Sequence, residues 1–233
     1  MIVALSISRR IWLLDVANQV PRTSQLDGVD ISFNQCPPRE WLPKNVTLRL
    51  ADVFREPAEE LIEKYDVIHI RHFICVVKGD DPSKLLQNLL RMLKPGGWIQ
   101  WDEWNVFERH FTKSNPNTPQ ENIDKLGKEF EVMRRHTSNP SWAQRLDEFF
   151  LLEDMQHVAM EKRLSSKSHL PYMNDLTLLV FQELIDGAET AGNIDAERAR
   201  YLRQLLGGAT RESRMGNAWN LTRCMAVGQK SLD

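Results

Sequence analysis

Three cysteines, Cys36, Cys75 and Cys224, are all that this 233-residue chain contains, and no two of them form a CxxC pair. An odd count without that spacing argues against a disulfide framework and for a reducing compartment. No apolar run approaches the roughly 18 residues that a membrane-spanning helix needs. The N-terminus is interrupted by Arg9 and Arg10 and lacks an apolar core followed by a small-residue cleavage site, so no secretory signal is read there. Neither sign of charge prevails: 30 basic and 32 acidic side chains give a formal charge of −2. That leaves no electrostatic case for nucleic acid or an anionic membrane surface as partner. A G-x-S-x-G element is missing, which removes support for an α/β-hydrolase nucleophile. No His, Cys and carboxylate set has metal-ligand spacing, so no metal is expected. Internal repeats and low-complexity tracts are also absent. A soluble, cytoplasmic protein is expected, with one large domain or one domain plus a lid and length enough for a sizeable core.

What is present is an alternation of strand-like and helix-like segments. Apolar, β-favouring runs occur at Ile2–Ile7, Gln25–Ile31, Val46–Leu50, Tyr65–Ile70 and Gly97–Trp101. Helix-like segments lie between them at Ile11–Val20, Pro57–Lys64 and Pro82–Leu93, the last with leucines at three- and four-residue spacing. This alternation predicts βαβ units and a parallel sheet. The α/β half, residues 1–106, is expected to bind the ligand. Residues 107–233 read differently. A polar loop at Thr112–Gln120 precedes helices at Glu121–His136 and Ser141–Phe150, a strand at Val158–Leu164, and helices at Asp175–Asp186 and Asp195–Leu206. Cys224–Gln229 reads as a final edge strand. The fold class is therefore α/β: a Rossmann-like, doubly wound, mostly parallel sheet with flanking helices. Glu121–His136 and Asp175–Asp186 are expected to form a helical lid.

In such a sheet, ligands sit beyond the carboxyl ends of the strands. Asp30 ends the second strand, where a carboxylate can accept bonds from both hydroxyls of a ribose, and it reads equally well as a helix N-cap or turn carboxylate. Asp52 holds the same place after the third strand; it suits an exocyclic amine, or else caps a following helix. Arg71 and His72 follow the fourth strand. His72 titrates near neutrality and is the one candidate general base, although such a histidine is more often a packing residue. Pro95-Gly96-Gly97 reads as a helix stop and tight turn. Asp102 and Glu103 end the fifth strand on opposite faces, so either one faces the crevice or both form a solvated strand end. Trp12, Trp41, Trp98, Trp101 and Trp104 all fall in this half, where core packing is the commoner use of the ring and stacking on a planar ligand the rarer one.

With these residues in place, IWLLDVANQVP, GVDIS, QCPPREWLPKNVTLRLADVF, YDVIHIRHF and LLRMLKPGGWIQWDE resemble the class I S-adenosylmethionine-dependent methyltransferases, specifically their fungal secondary-metabolism branch. The likeness covers residues 2–105 well and the remainder weakly. It implies methyl transfer to oxygen, nitrogen or carbon of a small molecule, with S-adenosylmethionine as cofactor and a pathway partner enzyme as a further candidate partner. By the same resemblance Asp30 holds the adenosyl ribose, Asp52 and Val53 contact the adenine, and Arg71 and His72 lie under the methionine part. The sulfonium is already a strong methyl donor, so in-line positioning and removal of a substrate proton carry most of the reaction.

The family places a D-x-G-x-G-x-G loop after the first strand. Here the stretch is ALSISRR, with Ala4 in the acidic position and Ser6, Ser8 and Arg10 in the glycine positions. Glycine lets the backbone approach the cofactor closely, and a guanidinium beside a sulfonium is electrostatically unhelpful. Met1 also begins inside the strand. Two expectations follow: a true start upstream with a replaced exon, or a non-catalytic accessory protein that has lost ordinary cofactor binding. A third, a non-transfer reaction on the same fold, has no positive support in the sequence.

Overall fold

The computed structural model describes residues 1–5, 11–33, 36–74, 76–134 and 141–232. Seven strands and six α-helices lie among them. They are β1 (Ile2–Leu5), α1 (Ile11–Gln19), β2 (Leu26–Asp30), β3 (Val46–Leu50), β4 (Tyr65–Arg71), α2 (Ser83–Met92), β5 (Leu93–Lys113), α3 (Glu121–Arg134), α4 (Leu146–Leu152), β6 (Gln156–Leu164), α5 (Leu170–Thr190), α6 (Ala196–Arg214) and β7 (Asn217–Gln229). The strand order is β3-β2-β1-β4-β5-β7-β6. β1 pairs in parallel with β2 and β4, β2 with β3, and β4 with β5. This is the mostly parallel, doubly wound sheet expected from the alternation. The chain separates into two compact units, one of Met1–Trp104, Pro140–Lys162 and Cys224–Asp233, the other of Asn105–Asn139 and Arg163–Arg223.

In the first unit, parallel strands sandwiched by helices must be apolar on both faces. Val3, Leu5, Leu26, Val29, Ile68, Ile70, Ile99 and Trp101 are accordingly buried. On one side α1 packs Leu13 and Ala17 against Leu26 and Val46. Leu85, Leu86, Leu89 and Met92 of α2 are also buried, as their spacing predicts. Trp101 meets Trp142 edge-on with ring centroids 5.4 Å apart.

Several segments depart from the sequence expectation. Pro57–Lys64 consists largely of helix formers, yet only Glu59–Leu61 makes a single 3₁₀ turn. The Glu63 and Lys64 amides instead donate to the carbonyls of Arg91 and Met92, at 2.9 and 3.0 Å. Tertiary pairing here overrides propensity. Pro95-Gly96-Gly97 stops α2 as expected, but the chain is already in β5. Tyr65 and Val67 face Leu93 and Trp98, so the extra residues bulge out of the ladder. Gly96, at φ +72°, supplies the left-handed step. Ser141–Phe150 divides into a 3₁₀ turn, Trp142–Arg145, and α4. Asp80 accepts from the Trp142 amide and the Ser141 hydroxyl, both at 2.7 Å, and from Arg145 at 3.1 Å, pinning the chain at that junction.

Cys224–Gln229 is not an edge strand. It is the second half of β7, which lies between β5 and β6, with Cys224 and Ala226 fully buried. β7 runs antiparallel to β5: Gly97 accepts from Lys230 at 2.9 Å, while Ser114 donates to Gly216 at 2.7 Å. A second-half strand inserted beside β5 leaves β6 to form the edge.

In the second unit, α3, α5 and α6 bury Ile123, Leu126, Phe181, Ile185, Leu202 and Ala209 around Trp219 of β7. The first amides of α3 have no partner within their own helix. Glu212 of α6 supplies one: its buried carboxylate accepts from the Asn122 and Ile123 amides, both at 2.9 Å, and from the Asn122 side chain at 2.7 Å. Glu212→Ala leaves those donors buried and unpaired and is expected to cost about 2–3 kcal/mol in denaturant unfolding. A loss below about 0.5 kcal/mol would contradict this assignment. Among the described residues no helix is long and apolar enough to cross a membrane.

Candidate functional site

Because β3, β2, β1 and β4 are parallel, their carboxyl ends share one side of the first unit, and β4 ends against Asp102 of the parallel β5. The register brings the candidate residues together there. Asp30 pairs with Leu50, its carbonyl accepts from Ala51 at 2.9 Å, and Asp52 follows. Arg71 pairs with Asp102. The stretch with Ser6, Ser8 and Arg10 lies outside the described residues.

Asp30 is half-buried, and its Oδ1 accepts from the Ser32 amide at 3.3 Å, a long bond that closes a local turn. Asp52 caps no helix. Its Oδ1 accepts from the Phe54 amide at 3.0 Å, and Arg55 stands 3.4 Å from its Oδ2. The turn after it is held from below by Asn88 of α2, whose side-chain amide donates to the carbonyls of Val53 and Arg55, both at 2.9 Å. Asn88 escaped the sequence reading, although a polar residue within the leucine stripe of α2 marks it.

His72 has a left-handed backbone, φ +62°. Its Nε2 accepts from the indole N–H of Trp104 at 2.9 Å. The lone pair a general base needs is therefore engaged, and His72 can take a proton there only by giving up this bond. His69, within β4, is buried, stacks on Trp12 at 3.8 Å and lies 3.2 Å from Asp102 Oδ2. Trp41 is exposed, Trp101 is in the core, and Trp12 and Trp104 thus serve to hold imidazoles.

Asp102 and Glu103 do not form a solvated strand end; both are buried. Glu103 is 1% exposed, on the same face as Ile99 and Trp101, as the two-residue period of a strand requires. Its Oε1 accepts from the Phe73 amide at 2.7 Å and the Trp101 indole at 2.8 Å, its Oε2 from the Ile74 amide at 3.1 Å. Burial pushes this carboxyl up to about 8, with neighbouring Asp102 adding to the rise and the three N–H donors opposing it. In the unfolded chain it returns toward 4.5. The folded pKa is the higher one, so its contribution is fully present below about 4.5 and is lost as pH rises to about 8. Asp66, Asp81 and Glu121 are held below the ordinary carboxylate range by their hydrogen bonds, and act in the opposite sense only at lower pH. Thermal unfolding followed from pH 5 to 8 is expected to show wild type losing stability more steeply than Glu103→Gln; parallel curves would refute the assignment.

Asp30 and Asp52 thus stand at the ends of adjacent strands, and His72 follows the end of β4. A family model described as "Methyltransferase domain" matches residues 9–163. The chain belongs to this methyltransferase domain family. The N-methyltransferase tcpN of Claviceps purpurea is 38% identical over 96 residues, covering 41% of this chain and 34% of the relative. The N-methyltransferase verN of Clonostachys rogersoniana is 34% identical over 89 residues, covering 38% and 31%. These matches span about a third of the curated relatives' own length. Among solved structures, phosphoethanolamine N-methyltransferase 2 of Haemonchus contortus, in complex with S-adenosyl-L-methionine, shares the fold at a TM-score of 0.57 and 19% identity, over 99% of this chain and 48% of that one. The [4+2]-cyclase SpnF shares it at 0.58 and 14%, over 100% and 74%. One fold thus carries differently named activities, and function has to be argued from the site.

Proposed function

We propose that this methyltransferase-family chain binds S-adenosylmethionine at the carboxyl edge of its parallel strands and transfers the methyl group to a small-molecule acceptor of a biosynthetic pathway. The observation that carries the reading is the pairing of β2 with β3, which sets Asp30 beside Ala51 and Asp52. The ribose hydroxyls and the adenine amine of the cofactor are hydrogen-bond donors, and the chain presents carboxylate acceptors at these strand ends. The residues fit the group on that chemistry.

In this reading Asp30 accepts from the ribose and Asp52 from the adenine amine, with Val53 against the base. Asn88 keeps the Val53 turn in place. Arg71 and His72 lie at the methionyl end, where His72 orients rather than deprotonates while Trp104 holds its Nε2. When bound, the cofactor supplies an activated methyl group; the protein supplies position and exclusion of water. The fungal relatives named as N-methyltransferases support a nitrogen acceptor.

Calorimetric titration with S-adenosylhomocysteine tests the reading. Micromolar binding, about −8 kcal/mol, is expected. No binding by a folded chain would overturn it and favour the accessory role that the Ser6, Ser8 and Arg10 substitutions suggest.

A further inference from the structure

The ladder between β4 and β5 ends at Arg71–Asp102. If it continued, His72 would face Glu103 in extended conformation. Instead His72 turns left-handed, a backbone state that side chains with a Cβ resist. Three successive residues of β5 hold that turn. The carbonyl of Asp102 accepts from the His72 amide at 3.1 Å, and the Glu103 carboxyl accepts from the next two amides, those of Phe73 and Ile74. The Trp104 indole donates to the His72 ring. Successive amides converging from such a turn form a nest that suits an oxygen acceptor, and here the Glu103 carboxyl of the chain itself supplies it. The two amides meet different oxygens of the carboxyl, Phe73 at Oε1 and Ile74 at Oε2, and the Trp101 indole fixes the rotamer that presents them. Glutamine has the same size but offers one oxygen, and its NH₂ would oppose an amide N–H.

We propose that Glu103 is a positioning residue: by clasping the Phe73 and Ile74 amides it fixes the left-handed turn at His72 and so sets where the imidazole stands. Its consequence for catalysis rests on the cofactor reading above, whereas the geometry does not. The position of an aromatic-flanked glutamate on the core face of β5 is thereby explained by the loop it serves rather than by the core it enters.

Glu103→Gln tests the proposal by amide hydrogen exchange and by the ring-nitrogen resonances of His72. The Phe73 and Ile74 amides are expected to exchange about tenfold faster, with Ile68 and Ile70 unchanged. The His72 Nε2 resonance should lose the signature of an indole-bonded acceptor. Where wild type binds S-adenosylhomocysteine, the variant should bind about tenfold more weakly. Unchanged exchange, an unchanged His72 signal or unchanged affinity would each overturn the proposal. Trp104→Phe is the control: it should alter the His72 signal and leave the two amides protected. If it releases them as fully as Glu103→Gln does, Trp104 rather than Glu103 positions the turn. A wild-type chain that binds no S-adenosylhomocysteine would defeat the cofactor reading alone, and exchange with the nitrogen signals would still decide this one. Should Glu103→Gln not fold, solvent-like exchange of Phe73 and Ile74 in wild type would still refute the clasp.

Discussion

Asp30→Ala is expected to weaken S-adenosylhomocysteine binding about 100-fold or more while leaving stability within about 0.5 kcal/mol of wild type. Hydrogen bonds to a charged acceptor contribute about 1.5–3 kcal/mol each, and two ribose hydroxyls on one carboxylate make a loss of about 3 kcal/mol the lower bound. Asp30 is half-buried at the end of its strand, and its bond to the Ser32 amide is long at 3.3 Å. Calorimetry and urea unfolding on the same preparation separate the two effects. A variant that binds as wild type does would remove Asp30 from the site, and one that unfolds easily would make it a structural residue.

Asp27→Ala should do the reverse. Three residues earlier on the same strand, Asp27 is fully buried. Arg49 Nε stands 2.5 Å from its Oδ2, the Tyr65 hydroxyl 2.9 Å, and Lys64 Nζ 3.7 Å. Burial, with the Asp27 charge and hydrogen bond, pushes the Tyr65 hydroxyl well above its ordinary value, so tyrosine remains a donor to Asp27. Removing one partner of a buried ion pair costs about 3–5 kcal/mol. Arg49 and Lys64 reach solvent in part, which brings the expected loss to about 2–3 kcal/mol. Urea unfolding measures it, and cofactor affinity of the folded fraction is expected to stay within about twofold. A loss below 1 kcal/mol would mean that the cluster contributes no more than an exposed pair.

The contrast between these two aspartates shows what a sequence can and cannot convey. Both sit in LDGVD, and spacing gives them equal standing. Asp30 draws attention because it ends a strand, whereas Asp27 gives no local sign of Arg49 and Tyr65, its partners 22 and 38 residues away. His72 was legible as a histidine beyond a strand. The Trp104 bond that engages its Nε2 was not, because it depends on β4 and β5 being neighbours. Glu103 could have been found, since the two-residue period from Ile99 and Trp101 puts it on the buried face. Asn88 carried a comparable sign on α2. The partners of both residues are loop amides and carbonyls that no periodicity reveals.

The sequence by itself determined the α/β class, the places of β1 to β4, the leucine face of α2 and the helices of the second unit. These follow from local apolar periods, which the nearest neighbours in the chain settle. Only the tertiary structure decided that Pro57–Lys64 forgoes a helix, that β5 extends to Lys113, that β7 lies inside the sheet, and that Glu103 is buried beneath the His72 turn. Each of these depends on which backbone donors and acceptors meet across long separations, and a buried N–H or C=O must be paired wherever its partner happens to lie in the chain.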